Sequence, residues 1–169
     1  DMLTSLNIGL QYQLDRYDYK ANHAAYDLSD KYFLSLAYTG RVLRRSGNDF
    51  AGGHGLAVSV GKWYTPLSAW RLGLDYGYYG AAPRYMSLAL SADYMFNLSA
   101  FTAGYNSDRL FDLIALGGVY AGVGNSQKKN EFVYGVRAGV QGRFNVSSGI
   151  DLFIEPQLLA SRVSRNDNG

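Results

Sequence analysis

Apolar and polar residues take turns along almost the whole of this 169-residue chain. That period of two constrains the fold more than any motif does, because a strand sends alternate side chains to opposite faces and a helix does not. In "LTSLNIGLQYQLD", Leu6, Ile8, Leu10, Tyr12 and Leu14 share one face and Asn7, Gly9, Gln11 and Gln13 the other. "KYFLSLAYTGRVLRR" sets Tyr32, Leu34, Leu36 and Tyr38 against Ser35, Ala37, Thr39 and Arg41, and "GLAVSVGKWY" sets Leu56, Val58 and Val60 against Ala57, Ser59 and Gly61. "WRLGLDYGYYG" and "RYMSLALSADYMFNLS" repeat the pattern, with Arg71, Asp75 and Asp93 on the polar faces. In "EFVYGVRAGVQGRFNVS" the polar face carries Arg137 and Arg143, and in "GIDLFIEPQLLAS" it carries Glu155 and Gln157. Between the fifth and seventh of these segments, "LFDLIALGGVYAGVG" is apolar on both faces and reads as a strand of undecided orientation. The expectation is an all-β chain of about eight strands, each of roughly ten residues or more, long for a soluble sheet and suited to a tilted bilayer crossing.

Turn residues separate the segments. "YTPLSA" and "NVSSGI" read as tight turns built on Pro66 and Gly149, "SGNDFAGG", "GNSQKKN" and "YNSDR" as longer polar loops, and Tyr17 to Ser29 as the longest connection, a place for a helical turn or for mobility. Longer helices are not expected. Pro156, lacking an N–H, reads as a bulge or a strand edge. No apolar run reaches the length of a spanning helix, and the first residues lack the charged and apolar regions of a signal peptide, as in a mature or trimmed chain. The length fits one barrel domain over residues 1–169.

Alternation leaves two architectures open. A soluble barrel buries its apolar face, whereas a membrane barrel turns that face to lipid and keeps the polar one in the lumen. The polar face here is rich in Gly, Ala and Ser, which a narrow lumen accommodates, and poor in the Lys and Glu of a soluble surface. Its charges are of both signs: Arg41, Arg71, Asp75, Asp93, Arg137, Arg143 and Glu155. In a lumen as narrow as eight strands allow, these are expected to pair, Arg137 and Arg143 with carboxylates such as Asp75, Asp93 or Glu155, and to plug the interior. The chain has 15 tyrosines, and Tyr12, Tyr38, Tyr64, Tyr78 and Tyr94 stand toward the ends of apolar-face series, where an interfacial aromatic belt would need them. These features favour an antiparallel transmembrane β-barrel.

Three stretches, "VGKWYTPLSAWRLG", "ADYMFNLSAFTAGYNSDRLFDL" and "GVQGRFNVSSGIDLFIEPQLLAS", resemble outer-membrane β-barrel proteins of the Bacteroides group, including porin-like barrels. The likeness rests on a G-K-W-aromatic-T-P turn, a G-Y-N-x-x-R turn and an F-I-E-P-Q strand, and covers roughly Lys31 to Ser161. It implies the outer membrane of a Gram-negative cell, contact with membrane lipids and lipopolysaccharide, and a place as porin, anchor or subunit beside other outer-membrane proteins or lipoproteins. One point departs from it. With the tight turns at Pro66 and Gly149 in the periplasm, as short turns generally are, both ends of an eight-stranded chain would lie outside the cell, whereas barrels of this kind keep them in the periplasm. Of the two remedies, reversed sidedness or a larger barrel whose flanking strands are missing at both ends, the second is slightly favoured here, with Tyr17 to Ser29 as a periplasmic connection.

Little else in the sequence carries chemistry. Net charge is +2 and no basic stripe marks a nucleic-acid partner. Cysteine is absent and the two histidines, His23 and His54, lack ligand spacing, so no metal, cofactor or catalytic residue is expected. The first functional expectation is a non-catalytic integral barrel, a structural or accessory subunit of an envelope assembly with a largely plugged polar lumen. The alternatives are a passive diffusion channel and a barrel hydrolase or acyltransferase using His54 with Asp49 or Ser46. The "QKKNE" loop offers lysines to lipopolysaccharide phosphates or simply to water.

Overall fold

The computed structural model describes residues 2–14, 32–44, 50–79, 85–104, 109–126, 129–147 and 149–164. The expected strands appear one for one: β1 (Met2–Gln13), β2 (Tyr32–Arg44), β3 (Phe50–Trp63), β4 (Ser68–Tyr79), β5 (Tyr85–Asn97), β6 (Phe111–Ser126), β7 (Lys129–Ser147) and β8 (Ile150–Ser164). Each pairs antiparallel with its sequence neighbours, and β1 pairs with β8, so the sheet closes into an eight-stranded barrel. Closure removes both free edges, which is how a β-structure satisfies every backbone group without a partner chain. It also corrects the larger-barrel expectation, because Met2 to Tyr12 and Ile150 to Ala160 occupy each other's edges and leave no gap for flanking strands.

Following cross-strand partners once round the wall, from Tyr12 through Leu34, Val60, Leu72, Ala92, Val119, Val136 and Ala160, returns to β1 at Met2, ten residues from the start. With ordinary strand rise and spacing, that stagger corresponds to a tilt of about 40° and a wall radius of about 8 Å. Side chains alone can fill so narrow a lumen. Alternation is kept throughout: in β1, Leu3, Ser5, Asn7, Gly9 and Gln11 are buried while Leu6, Ile8, Leu10 and Tyr12 are exposed, and the other strands follow suit. For β6 the structure settles the orientation left open by the sequence. Ile114, Leu116 and Tyr120 face the lumen, and Leu113, Val119 and Val123 face out.

Both ends of the described chain lie at one end of the barrel, the terminal end. The connections there are short, spanning residues 45–49, 80–84 and 127–128, whereas the opposite end carries 14–31, 64–67, 98–110 and 148–149. The sequence reading of "SGNDFAGG" and "GNSQKKN" as longer loops is thereby corrected, because β3 already starts at Phe50, β6 runs to Ser126 and β7 starts at Lys129. The mismatch between short turns and chain ends disappears: the end that carries the termini carries no long connection. Tyr17 to Ser29 lies outside the described residues.

The expected tight turns at the opposite end are present. In the first, Thr65 Oγ1 accepts from the Leu67 and Ser68 amides at 3.2 and 3.0 Å. In the second, Gly149 adopts φ 98°, a conformation that only glycine takes without strain. One short helix was not expected, α1 (Leu98–Ala103). The buried Asn97 side chain caps it by accepting from the Ala100 amide at 2.9 Å, and Gly104 ends it at φ 76°. Pro156 stands neither at an edge nor at a bulge. It lies inside β8 opposite Leu6 of β1, and the ladder to β7 skips its position between Gly139–Gln157 and Gly142–Ile154 without a change of register. The register shift in that pair falls instead between Asn145 and Ser147.

Candidate functional site

At mid-height, β4, β5, β7 and β8 each point a charged residue into the lumen. Because neighbouring strands are staggered, residues far apart in sequence meet there. Arg71 (β4) places Nη1 and Nη2 2.7 and 3.0 Å from the two carboxylate oxygens of Glu155 (β8), a bidentate pair, and its Nε donates to Asp93 (β5) at 2.9 Å. Arg137 (β7) donates through Nε to the other Asp93 oxygen at 2.6 Å and through Nη1 to Asp75 at 3.2 Å, and it also bonds Ser91 at 2.7 Å. Asp75 in turn lies 3.5 Å from Arg41. The result is a linear chain of alternating sign, Arg41, Asp75, Arg137, Asp93, Arg71, Glu155, whose formal charges cancel. Further amides complete its end: Asn7 and Gln141 donate to Glu155 at 3.2 and 2.8 Å, and Gln157 donates to it as well. Gln141 reaches Glu155 where the β7–β8 ladder is interrupted opposite Pro156, so a side-chain bond ties the two strands together there.

Apolar layers close the chain off on both sides. Toward the end opposite the termini, Phe33, Trp63, Ala69, Met95, Ile114 and Leu116 form a buried cluster inside the lumen. Toward the terminal end, Leu3, Tyr120 and Leu159 form another, with Ala89 and Val133 packed against it. The space left among Asn7, Ser59, Arg71, Asp75 and Glu155 is about 20 Å³, room for roughly one water. Arg71, Arg137, Asp75, Asp93 and Glu155 are each held by hydrogen bonds in a buried setting, which makes removal of one partner far more costly than the pair is stabilising.

Of the residues expected in the polar network, Arg41, Arg71, Asp75, Asp93, Arg137 and Glu155 come together. Arg143 does not join them. It sits beyond the first apolar layer, 2.8 Å from Asp112 and 3.9 Å from Asp151, with its guanidinium 5.4 Å from the Trp63 ring centre. Arg109 adds a contact to Asp112 at 3.7 Å, so the mouth opposite the termini has an ion cluster of its own. The sequence reading missed the apolar layers. Their signal was present as parity, since Phe33, Trp63 and Met95 fall on the polar-face positions of β2, β3 and β5, but it was obscured by treating the inner face as polar throughout.

On the outer face, Tyr12, Tyr64 and Tyr94 stand toward the end opposite the termini, and Tyr38 and Tyr78 toward the terminal half. Other aromatics join each set. Trp70 meets Tyr94 edge-on with centroids 5.3 Å apart, and Lys62 lies 4.9 and 5.6 Å from the rings of Tyr32 and Tyr64. Phe111 packs with Phe144, and at the terminal end Phe132 packs with Tyr134. His54 is not at a loop mouth. It points outward from within β3, between the rings of Tyr38 and Tyr78 at 6.3 and 5.5 Å, and its imagined partners Ser46 and Asp49 lie outside the described residues.

Charge is divided sharply between the two faces. Among the described residues, every acidic side chain, Asp75, Asp93, Asp112, Glu131, Asp151 and Glu155, lies on an inward position. Among the strand residues whose side chains are described, the outward cations are Lys62 near one end and Arg162 near the other. Between these levels the exposed side chains are mainly Leu, Ile, Val, Ala and aromatics, with Thr4 and Met86 among them and Leu72, Leu90 and Val136 57–67% exposed. No protein-family model and no curated protein matches the sequence.

Proposed function

We propose that the chain is an integral β-barrel of a Gram-negative outer membrane, non-catalytic, with a filled lumen, acting as a structural or accessory subunit of an envelope assembly. The observation that carries this reading is the division of charge: a belt of exposed Leu, Val and Ile with no described carboxylate encircles the wall, while the carboxylates sit inside. A surface of this size is ruinous in water and ordinary in hydrocarbon, where a closed sheet is also one of the two structures that leave no backbone group unpaired. A 13-residue strand such as β2, tilted by about 40°, rises roughly 30 Å, enough for the hydrocarbon core.

The connection lengths support a sidedness with the termini in the periplasm and residues 14–31 and 98–110 outside the cell, in keeping with short periplasmic turns. The Bacteroides-type turn and strand motifs agree with this setting. A diffusion channel is the weaker reading, because both apolar layers and the six-membered ion chain would have to move to open a path. A hydrolase is weaker still: His54 stands on the outer wall between two aromatic rings. With the interior filled, the surfaces left for work are the loops and the lipid-facing wall, which suits a subunit or anchor. The test is reconstitution. The purified chain is expected to require detergent, to enter lipid vesicles as a heat-modifiable barrel, and to produce no stepwise conductance in a planar bilayer; stable conductance steps would favour the channel.

A further inference from the structure

The outer wall is not evenly covered. Across β4 to β8, toward the terminal end, lies a groove of about 980 Å³ whose lining is overwhelmingly apolar. The register explains it. One outward row runs Leu90, Ala121, Tyr134, Arg162 from β5 to β8, and the row above it includes Ala92 and Ala160, so small side chains form a floor between larger ones. Arg162 lines the groove and closes its row, two residues before the end of β8. Among the described residues no carboxylate lies within ion-pairing distance of it. Tyr134, directly across the strand pair, supplies an aromatic ring at the same rim.

We propose that this groove holds one anionic phospholipid of the leaflet at the terminal end, with its phosphate on Arg162 and its acyl chains on Ala121, Ala160 and Ala92. The proposal rests on the membrane reading above and adds a defined site to it. A guanidinium at the rim matches a phosphate through paired N–H donors, and its long stem lets the charge reach the headgroup while the methylenes stay over the apolar wall. The small floor gives two acyl chains a recess, where elsewhere on the barrel Leu and Val side chains project into the bilayer. A second protein fits less well, since the groove ends on a cation and its lining is overwhelmingly apolar.

The barrel, reconstituted and then extracted into mild detergent with equal amounts of dioleoyl phosphatidylglycerol and dioleoyl phosphatidylcholine, is examined by native mass spectrometry. The wild type is expected to retain one lipid, with the anionic one preferred about fivefold. Arg162→Gln is expected to abolish the preference, and Ala121→Leu with Ala160→Leu, which fills the recess, to abolish retention, while both variants keep the heat-modifiable band of a folded barrel. Equal retention of the two lipids by wild type and Arg162→Gln, or a dimer that carries no lipid, overturns the proposal and leaves the membrane reading standing. Failure of the wild type to enter vesicles overturns both.

Discussion

The two faces of the barrel wall are made by the same eight strands, and neighbouring residues on one strand obey opposite rules. Inside, Arg71 is 4% exposed and held by two carboxylates; one position on, Leu72 is 63% exposed and touches no charge. The inner face can hold charge because the stagger brings opposite signs within hydrogen-bonding distance; the outer face has no such partners and carries almost none. A strand with a period of two therefore encodes two environments at once, a packed lumen and an exposed wall, and substitutions that are mild on one face should be severe on the other.

The sharpest break of this contrast is Arg71→Met, which leaves Glu155 buried without a cationic partner and Asp93 with Arg137 alone; the expected loss is about 3–5 kcal/mol in urea unfolding followed in vesicles. Next, Leu74→Arg puts a charge on the outer wall near mid-height and is expected to destabilise by about 2–4 kcal/mol in a bilayer. In a water-exposed wall the same change at this 44%-exposed position would be nearly silent. A neighbouring glycine pair then refines the comparison. An added Cβ at Gly118, on the inner face, would run into the Ala92 carbonyl and Asp93, so Gly118→Ala is expected to cost about 1–3 kcal/mol. At Gly117, on the outer face, the nearest atom to such a Cβ is 4.0 Å away, and Gly117→Ala should stay within about 0.5 kcal/mol. Smallest of all, His54→Ala loses only ring contacts with Tyr38 and Tyr78 and should leave vesicle insertion unchanged.

Much of this was legible in the sequence because period two is local: it gave all eight strands and the faces of seven of them. The eighth, β6, resisted because it serves both apolar layers. Ile114 and Leu116 belong to one and Tyr120 to the other, so its inner face is as apolar as its outer one. The members of the ion chain could be listed from the sequence but not connected, since Arg71 and Glu155 lie 84 residues apart and meet only once β1 and β8 close the wall. Arg143 was grouped with them by residue type, and only its position in the barrel shows that it belongs to the mouth. Strand ends were misjudged where polar residues such as Asn125 and Asn130 continue a ladder that their composition marks as loop. The cap on α1 is an Asn97 side chain whose role depends on where β5 stops, a matter of three-dimensional path rather than pattern.

The claim that lipid bathes the outer face is tested most directly by the two tryptophans, which stand on opposite faces of β3 and β4. Trp63 is 7% exposed within the lumen, and Trp70 is 52% exposed on the outside. In vesicles whose acyl chains are brominated near the headgroup, a Trp63→Phe variant should show strong quenching of the remaining Trp70 emission, and a Trp70→Phe variant almost none of Trp63. Unquenched Trp70 emission, from a chain that stays monodisperse in detergent-free buffer, would contradict the account.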